Sequence, residues 1–142
     1  MTLHVHSARI STRDPDRLDI TRKSATPEGR IFAPSWTILR PALDARAMAK
    51  RAPADEAEAI EAAAWEAYVP AFLEEMRASY RRNRRAWEAL LARERVVLVC
   101  YCVDPAHCHR AILRTRILPA LGAVDAGEAF PIASAGVPGD DA

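Results

Sequence analysis

The sequence lacks the features of membrane proteins and of secreted proteins. No apolar run approaches the ~18 residues that a transmembrane helix needs, so we expect no membrane span. The first four residues (MTLH) do not combine a basic start with an apolar stretch, and we therefore expect no signal peptide. Three cysteines, an odd number within nine positions, do not resemble a secreted disulfide framework. These absences predict a cytoplasmic protein with reduced thiols.

Aromatic residues and net charge are also scarce. The chain has three Phe, three Tyr and three Trp, its formal net charge is +1, and its predicted helices are rich in Ala. A length of 142 residues suffices for one domain with its own core, and no internal repeat is present. From residue 127 most residues are small, Asp140 and Asp141 lie near the end, and Lys and Arg are absent. We predict one domain over residues 1–126 and a flexible tail over residues 127–142.

The most structured segment by sequence covers residues 96–121. Residues 96–103 are eight apolar residues rich in β-branched types, which predicts a strand buried on both faces. Asp104-Pro105 then ends the strand. From about His107 the apolar spacing becomes helical, with Leu113, Ile117 and Leu121 four residues apart.

The rest of the chain predicts one more strand and several helices. Residues 3–10 alternate as a strand does, and residues 11–29 form a polar loop with an extended piece near residues 18–22. Ser35 is a plausible cap for a helix that begins at Trp36, and residues 55–68 and 71–92 are helical with an interruption at Pro70. The predicted fold is a single small α/β domain. Its short, mostly parallel sheet is flanked by helices in a Rossmann-like three-layer arrangement.

The junction between the long apolar strand and the next helix is the predicted functional site. Ligands bind at the carboxyl ends of strands in open α/β sheets, and a helix amino terminus favours an anion. Cys108 beside Arg110 predicts a favoured thiolate, hence a candidate nucleophile. No acid in the first turns of this helix can pair with Arg110, so we expect Arg110 to bind an external anion and to contribute nothing to stability.

Two other segments offer candidates. If the first strand pairs in parallel with residues 96–103, it brings His6 and Ser7 near Cys100. His6 and His109 titrate near neutral pH and could serve as acid or base. The predicted catalytic residues are Cys108, His109 and His6, and the predicted ligand-binding residues are Arg110, Ser7, Cys100, Thr21 and Arg22.

A zinc site built from Cys100, Cys102 and Cys108 is a further alternative, since thiolates are good zinc ligands. Cys100 and Cys102 lie two residues apart on one face of a strand, unlike the turn that joins paired zinc cysteines. We therefore expect no metal, and the sequence identifies no cofactor.

Several segments together resemble one bacterial family. The most specific are Cys108-His109-Arg110, Asp104-Pro105 before it, and residues 98–101 (LVCY). His6-Ser7 and residues 18–22, 32–35 and 121–123 are similar to family segments in the same order. The chain thus resembles the "domain of unknown function" family numbered 488, over roughly residues 3–128. The resemblance implies a fold and no settled activity.

The predicted function is binding of an anionic small molecule, a nucleotide or a phosphate-bearing metabolite. Hydrolysis or group transfer at the same site stays open, as do enzyme status and oligomeric state. One alternative is a thiol-based redox or sulfur-transfer protein that uses Cys100, Cys102 and Cys108. The other is a nucleic-acid-binding accessory protein that uses a basic helix face, formed by Arg81, Arg82, Arg84 and Arg85. Nearby glutamates and the low net charge favour a solvated surface for that face.

Overall fold

A computed structural model describes residues 2–102 and 107–129 of the chain. Its centre is a four-stranded, all-parallel sheet in the order β2-β3-β1-β4. The strands are β1 (His4–Arg9), β2 (Arg17–Asp19), β3 (Arg95–Cys100) and β4 (Val124–Glu128). The predicted α/β class, with a short parallel sheet flanked by helices, is confirmed.

The parallel pairing places the carboxyl ends of all four strands at one edge of the sheet. β1 lies between β3 and β4, with Val5 opposite Val96 and Arg9 opposite Cys100. β2 pairs with the other side of β3. The end of β3 is therefore flanked on both sides by other chain segments, as a ligand site at this edge requires.

β3 is shorter than its apolar run. It ends at Cys100, whereas the prediction extended the strand to residue 103. Residues 96 to 100 are all buried, which explains the uninterrupted apolar composition. The rest of the predicted strand beyond Cys102 and the predicted break at Asp104-Pro105 lie outside the described residues.

The helices occupy most of the remaining chain. They are α1 (Pro27–Arg30), α2 (Trp36–Lys50), α3 (Ala54–Arg82), α4 (Arg84–Leu91), α5 (His109–Ile112), a π-helical segment (Leu113–Ile117) and α6 (Leu118–Ala120). α2 begins at the predicted residue. Ser35 does not cap it, because its N–H and hydroxyl both donate to the Glu75 carboxylate. In the described parts of the chain, no helix combines the length and apolar character needed to cross a bilayer.

The sequence allows either a kink or the first turn of a new helix at Pro70, and the structure shows that no new helix begins there. α3 runs through Pro70 without interruption and ends at Asn83, inside the segment predicted to be one helix. Tyr68 and Phe72 stack on either side of Pro70 with their ring centroids 5.7 Å apart, and both are buried. The break at Asn83 redirects the chain so that Trp87 packs edge-on against Phe32.

β4 was not predicted. Gly122, with a φ of 105°, adopts a left-handed conformation just after α6, where the chain turns towards β4. β4 then pairs with β1, and the N–H of Ala129 donates to the carbonyl of Ser7. The predicted domain boundary at residue 126 therefore falls inside this strand, and residues 130–142 lie outside the described residues.

The core is concentrated on one face of the sheet. Side chains of Val5, Leu98 and Leu18 on that face meet Phe72, Trp87 and other residues of the helices. A second, smaller cluster on the other face consists of Ala8, Val97 and Val99 with Ile10 and Ala129 against it. The helical face is the one that carries the candidate site.

Candidate functional site

Arg110, in the first turn of α5, is fully buried and makes contacts from all three guanidinium nitrogens. Its Nε and Nη2 each lie 3.1 Å from a carboxylate oxygen of Glu128, and its Nη1 donates to the carbonyl of Cys102 at 2.7 Å. The same Nη1 lies 3.1 Å from the sulfur of Cys100. A bidentate ion pair of this kind holds the guanidinium group in one orientation and favours the charged form of both side chains.

Glu128 overturns the expectation that Arg110 has no internal acid partner. A cation at a helix amino end is disfavoured without a negative neighbour, and β4 supplies that neighbour from 18 residues further along the chain. Burial disfavours ionisation of Glu128, yet hydrogen bonds from Arg110 and Ser7 outweigh burial and lower the pKa of Glu128. The charge of Arg110 is thus balanced inside the protein.

Three cysteines converge beside this ion pair. Cys100 ends β3, Cys102 follows two residues later, and Cys108 immediately precedes α5. Their sulfur atoms all lie within 4.8 Å of one another. Cys100 and Cys102 point to the same side of the chain, as predicted, and Tyr101 between them is half exposed. The strand placement of Cys100 and Cys102 therefore does not keep the three sulfurs apart, because Cys108 approaches them from the start of α5.

The three thiols do not ionise alike. Hydrogen bonds from the Cys100 and Cys108 thiols lower the pKa of Cys102, and Arg46 acts in the same direction. The bond to Cys102 raises the pKa of Cys100. Burial, followed by the same sulfur contacts, raises the pKa of Cys108 well above its ordinary value. The thiol whose pKa is lowered, Cys102, is also the least buried of the three.

The raised pKa of Cys108 runs against the predicted thiolate there. Cys108 is 2% exposed, and the neighbouring guanidinium is already paired with Glu128. Cys102 has the properties that a nucleophile needs, namely a low pKa and partial exposure.

His109, the first residue of α5, contacts both the segment that follows β2 and the helix α3. Its Nε2–H donates to the carbonyl of Ile20 at 2.7 Å, which leaves Nδ1 as an acceptor 3.8 Å from the sulfur of Cys108. Its ring packs edge-on against Phe72. Burial lowers the pKa of His109, so the imidazole is neutral at pH 7.

The first strand contributes one of its two predicted residues. The Ser7 hydroxyl donates to Glu128 and so belongs to the same network as Arg110. His6 points to the opposite face, as adjacent residues of a strand must, and lies opposite Val97. There its pKa is lowered by burial and then by Arg95. The structure does not bring His6 to the cysteines.

A cavity of about 700 Å³ opens in front of the cysteine cluster. Thr21 and Arg22, both predicted ligand-binding residues, lie in its wall together with the three cysteines and His109. Arg22 donates from Nε to the carbonyl of Pro34 at 2.9 Å, which holds the guanidinium in place without neutralising its charge.

The sequence analysis missed most of the cationic and aromatic wall of this cavity. α2 contributes Arg46 and Lys50, one helical turn apart, and α3 contributes Trp65 and Tyr68. Trp65 and Tyr68 stack with centroids 5.7 Å apart. The spacing of Trp65, Tyr68 and Phe72 in an otherwise Ala- and Glu-rich helix is the signal that could have identified this wall.

The basic helix face lies away from the cavity and is exposed. Arg84 pairs with Glu88 at 3.4 Å, and both side chains are about 60% exposed. The guanidinium of Arg84 also lies 4.7 Å from the ring of Tyr80. These are contacts of a solvated helix surface.

The fold and the site together define a small parallel α/β domain whose cysteine-rich strand–helix junction faces a basic cavity. A family model described as "Active DUF488-N3 subclade" matches residues 11–120. The chain belongs to this family, and the predicted resemblance is confirmed. No curated protein and no solved structure gives a significant match.

Proposed function

We propose that this protein binds an anionic small molecule, a nucleotide or a phosphate-bearing metabolite, in the cavity before the cysteine cluster. The observation that carries the proposal is the charge of the wall. Four cationic side chains, Arg22, Lys23, Arg46 and Lys50, line the cavity, and Glu61 is the one carboxylate among its described lining residues. A cavity of about 700 Å³ lies within the range of small-molecule sites.

The anchor differs from the one that the sequence analysis proposed. Arg110 is occupied by Glu128, whereas Arg46 and Lys50 are exposed, and no described carboxylate forms an ion pair with either. Arg22 is preorganised by carbonyl contacts, which lowers the entropic cost of binding a phosphate. These cations come from the loop after β2 and from α2, so a phosphate between them would join two segments.

The aromatic wall favours a ligand with a flat ring. Trp36, Trp65 and Tyr101 line the cavity, and Trp36 and Tyr101 are each about half exposed. Exposed aromatic faces stack on nucleobases at about 1–3 kcal/mol per base. A nucleotide satisfies both the cationic and the aromatic parts of the wall.

The test begins with a thermal-shift screen of nucleotides and sugar phosphates against chelator-treated protein. Dissociation constants of any hit are then measured by tryptophan fluorescence for the wild type, Arg46→Gln and Lys50→Gln. Loss of one charge-assisted contact should weaken binding about tenfold or more, since ~1.4 kcal/mol corresponds to a factor of ten. Arg81→Gln, which removes the same charge from the basic helix face, is the matched control and should bind like the wild type.

Two results would contradict the proposal. One is a screen without any phosphate-bearing ligand, and the other is equal binding by the cavity variants and the control. Steeply salt-dependent binding of generic DNA or RNA, abolished by Arg81→Gln and its neighbours, would favour the nucleic-acid alternative.

We also infer a cytoplasmic location, because all three cysteines are free thiols.

A further inference from the structure

We propose that Cys100, Cys102 and Cys108 form a three-thiolate site for a soft divalent cation of the zinc type, with a fourth coordination position open to the cavity. The proposal concerns the sulfur cluster alone and does not depend on the proposed anion binding. It rests on three observations: the positions of the sulfurs, the arginines around them and the exposure of Cys102.

The sulfur positions suit a tetrahedral cation. Zinc binds thiolates at about 2.3 Å, which places the sulfurs about 3.8 Å apart. The three sulfurs here are already within 4.8 Å of one another, so small side-chain rotations would close the site. Two of the donors stand at fixed points, Cys100 at the end of β3 and Cys108 at the residue before α5. The thiolate is also the protein ligand that soft cations prefer.

Each sulfur has an arginine N–H nearby. Nη1 of Arg110 lies 3.1 Å from the sulfur of Cys100 and 3.9 Å from that of Cys108. Nη2 of Arg46 lies 3.8 Å from the sulfur of Cys102. A divalent cation with three thiolates carries one net negative charge. Because Glu128 already balances Arg110, the guanidinium of Arg46 would supply the compensating positive charge. Hydrogen bonds to ligand atoms from outside the coordination sphere orient ligands and strengthen metal sites.

The fourth position faces the cavity. In the part of the chain that the structure describes, the cluster contains just these three His, Cys, Asp or Glu ligands. Cys102 is half buried and lies with the other two in the cavity wall. Three protein ligands with one open position is the arrangement of catalytic zinc sites, whereas structural sites use four. A water molecule or a cavity ligand would complete the coordination.

Binding is a simple exchange of protons for the cation. Each thiol that is still protonated loses its proton to solvent as its sulfur binds, and no oxidant or reductant takes part. The site should therefore bind more weakly as the pH falls, and metal uptake should release protons.

The experiment uses the full chain, reduced, desalted and kept free of oxygen, with Cd²⁺ and Zn²⁺ as the probes. Cd²⁺ titration should produce a thiolate charge-transfer absorption that saturates at one equivalent. In the same samples, the number of thiols that react with a colorimetric disulfide reagent, three when the reaction of the metal-free protein is followed to completion, should fall to none. Zn²⁺ should compete with Cd²⁺ for the site.

Three variants make the test specific. Cys102→Ser, at the least buried ligand, should lower the affinity more than the 10–100-fold that loss of an outer hydrogen bond causes. Arg46→Gln, which keeps all three sulfurs, should lower it within that 10–100-fold range. His4→Ala, which removes an exposed imidazole at the start of β1, should bind like the wild type.

Three results would overturn the proposal. They are full thiol reactivity in the presence of excess cation, protection of two thiols instead of three, and unchanged affinity in Cys102→Ser. A circular-dichroism spectrum of each metal-free variant verifies that the fold is intact. None of these measurements involves a nucleotide, so failure here leaves the proposed anion binding to its own test.

Discussion

Glu128→Gln should destabilise the fold substantially, because it leaves the charge of Arg110 buried without its partner. The pair has two N–H···O contacts of 3.1 Å, and the side-chain exposures are 0% for Arg110 and 31% for Glu128. Removal of one member of a fully buried pair costs about 3–5 kcal/mol. Because Glu128 retains some solvent and Gln can still accept one hydrogen bond, we expect a loss of about 2–3 kcal/mol.

The assay is urea unfolding followed by circular dichroism. Asp125→Asn is the matched control, since Asp125 lies on the same strand and pairs with Arg114 with more exposure to solvent. That change should cost about 0–1 kcal/mol. If Glu128→Gln and Asp125→Asn lose equal stability, the Arg110–Glu128 pair contributes no more than a surface pair and the argument fails.

The pH dependence follows from the lowered pKa of Glu128. A carboxyl group with a lower pKa in the folded state stabilises the fold above its unfolded pKa, and this contribution disappears as the pH falls through the folded-state pKa. The stability difference between wild type and Glu128→Gln should therefore be constant near pH 7. It should shrink below the ordinary glutamate range. A difference that grows on acidification would contradict the assignment.

Three further predictions concern other parts of the molecule. In the metal-free protein at pH 7, iodoacetamide should modify Cys102 well before Cys108, as read by peptide mass spectrometry; equal rates would contradict the opposite pKa shifts. Gly29→Ala would place a Cβ 1.9 Å from the carbonyl oxygen of Asp19. The substitution should therefore lower the unfolding free energy by about 1–3 kcal/mol or more, and an unchanged melting temperature would refute this packing. Replacement of the four arginines of the basic helix face by Gln should change stability by about 1 kcal/mol or less per ion pair, as measured by urea unfolding; a larger loss would mean that the face is not merely solvated.

Local composition predicted the strand that is buried on both faces and the helix that follows a typical capping residue. β3 was predicted because a central parallel strand is an uninterrupted apolar run, and the start of α2 at Trp36 was predicted from the residue before it. β4 was not visible, since residues 124–128 (VDAGE) neither alternate nor favour strands. The strand forms by pairing with the free edge of β1, and a pairing between distant segments leaves no pattern in the local sequence.

The helices show the same division. Pro70 lacks an N–H and should disfavour a helix interior, yet the aromatic side chains on both sides of it pack into the core and hold α3 together. The sequence around Asn83 contains no proline or glycine that would have predicted the break after α3. Its position follows from packing, because Trp87 donates from Nε1 to the hydroxyl of Ser79 at 3.1 Å after the chain turns.

The strand–helix junction that the sequence singled out lies beside the cavity, but the partners of its charged side chains were not predicted. The motif Cys108-His109-Arg110 placed the candidate site at the strand–helix junction, where the cavity lies. The partner of Arg110 was hidden because Glu128 belongs to a segment that resembles a tail. The exposed cations Arg46 and Lys50 were hidden because a helix surface with basic residues has no distinctive pattern.

The position of β1 between β3 and β4 has a consequence for synthesis of the chain. A ribosome releases β1 first, while its partner β3 begins at Arg95 and its partner β4 at Val124. Both hydrogen-bonding edges of β1 therefore stay open until most of the polypeptide has emerged, and open strand edges invite pairing with other chains. Glu128 and Arg110 come together only when β4 docks, so β4, the last strand among the described residues, also completes the ion pair. We expect the newly made chain to depend on chaperones during this interval more than its small size would indicate.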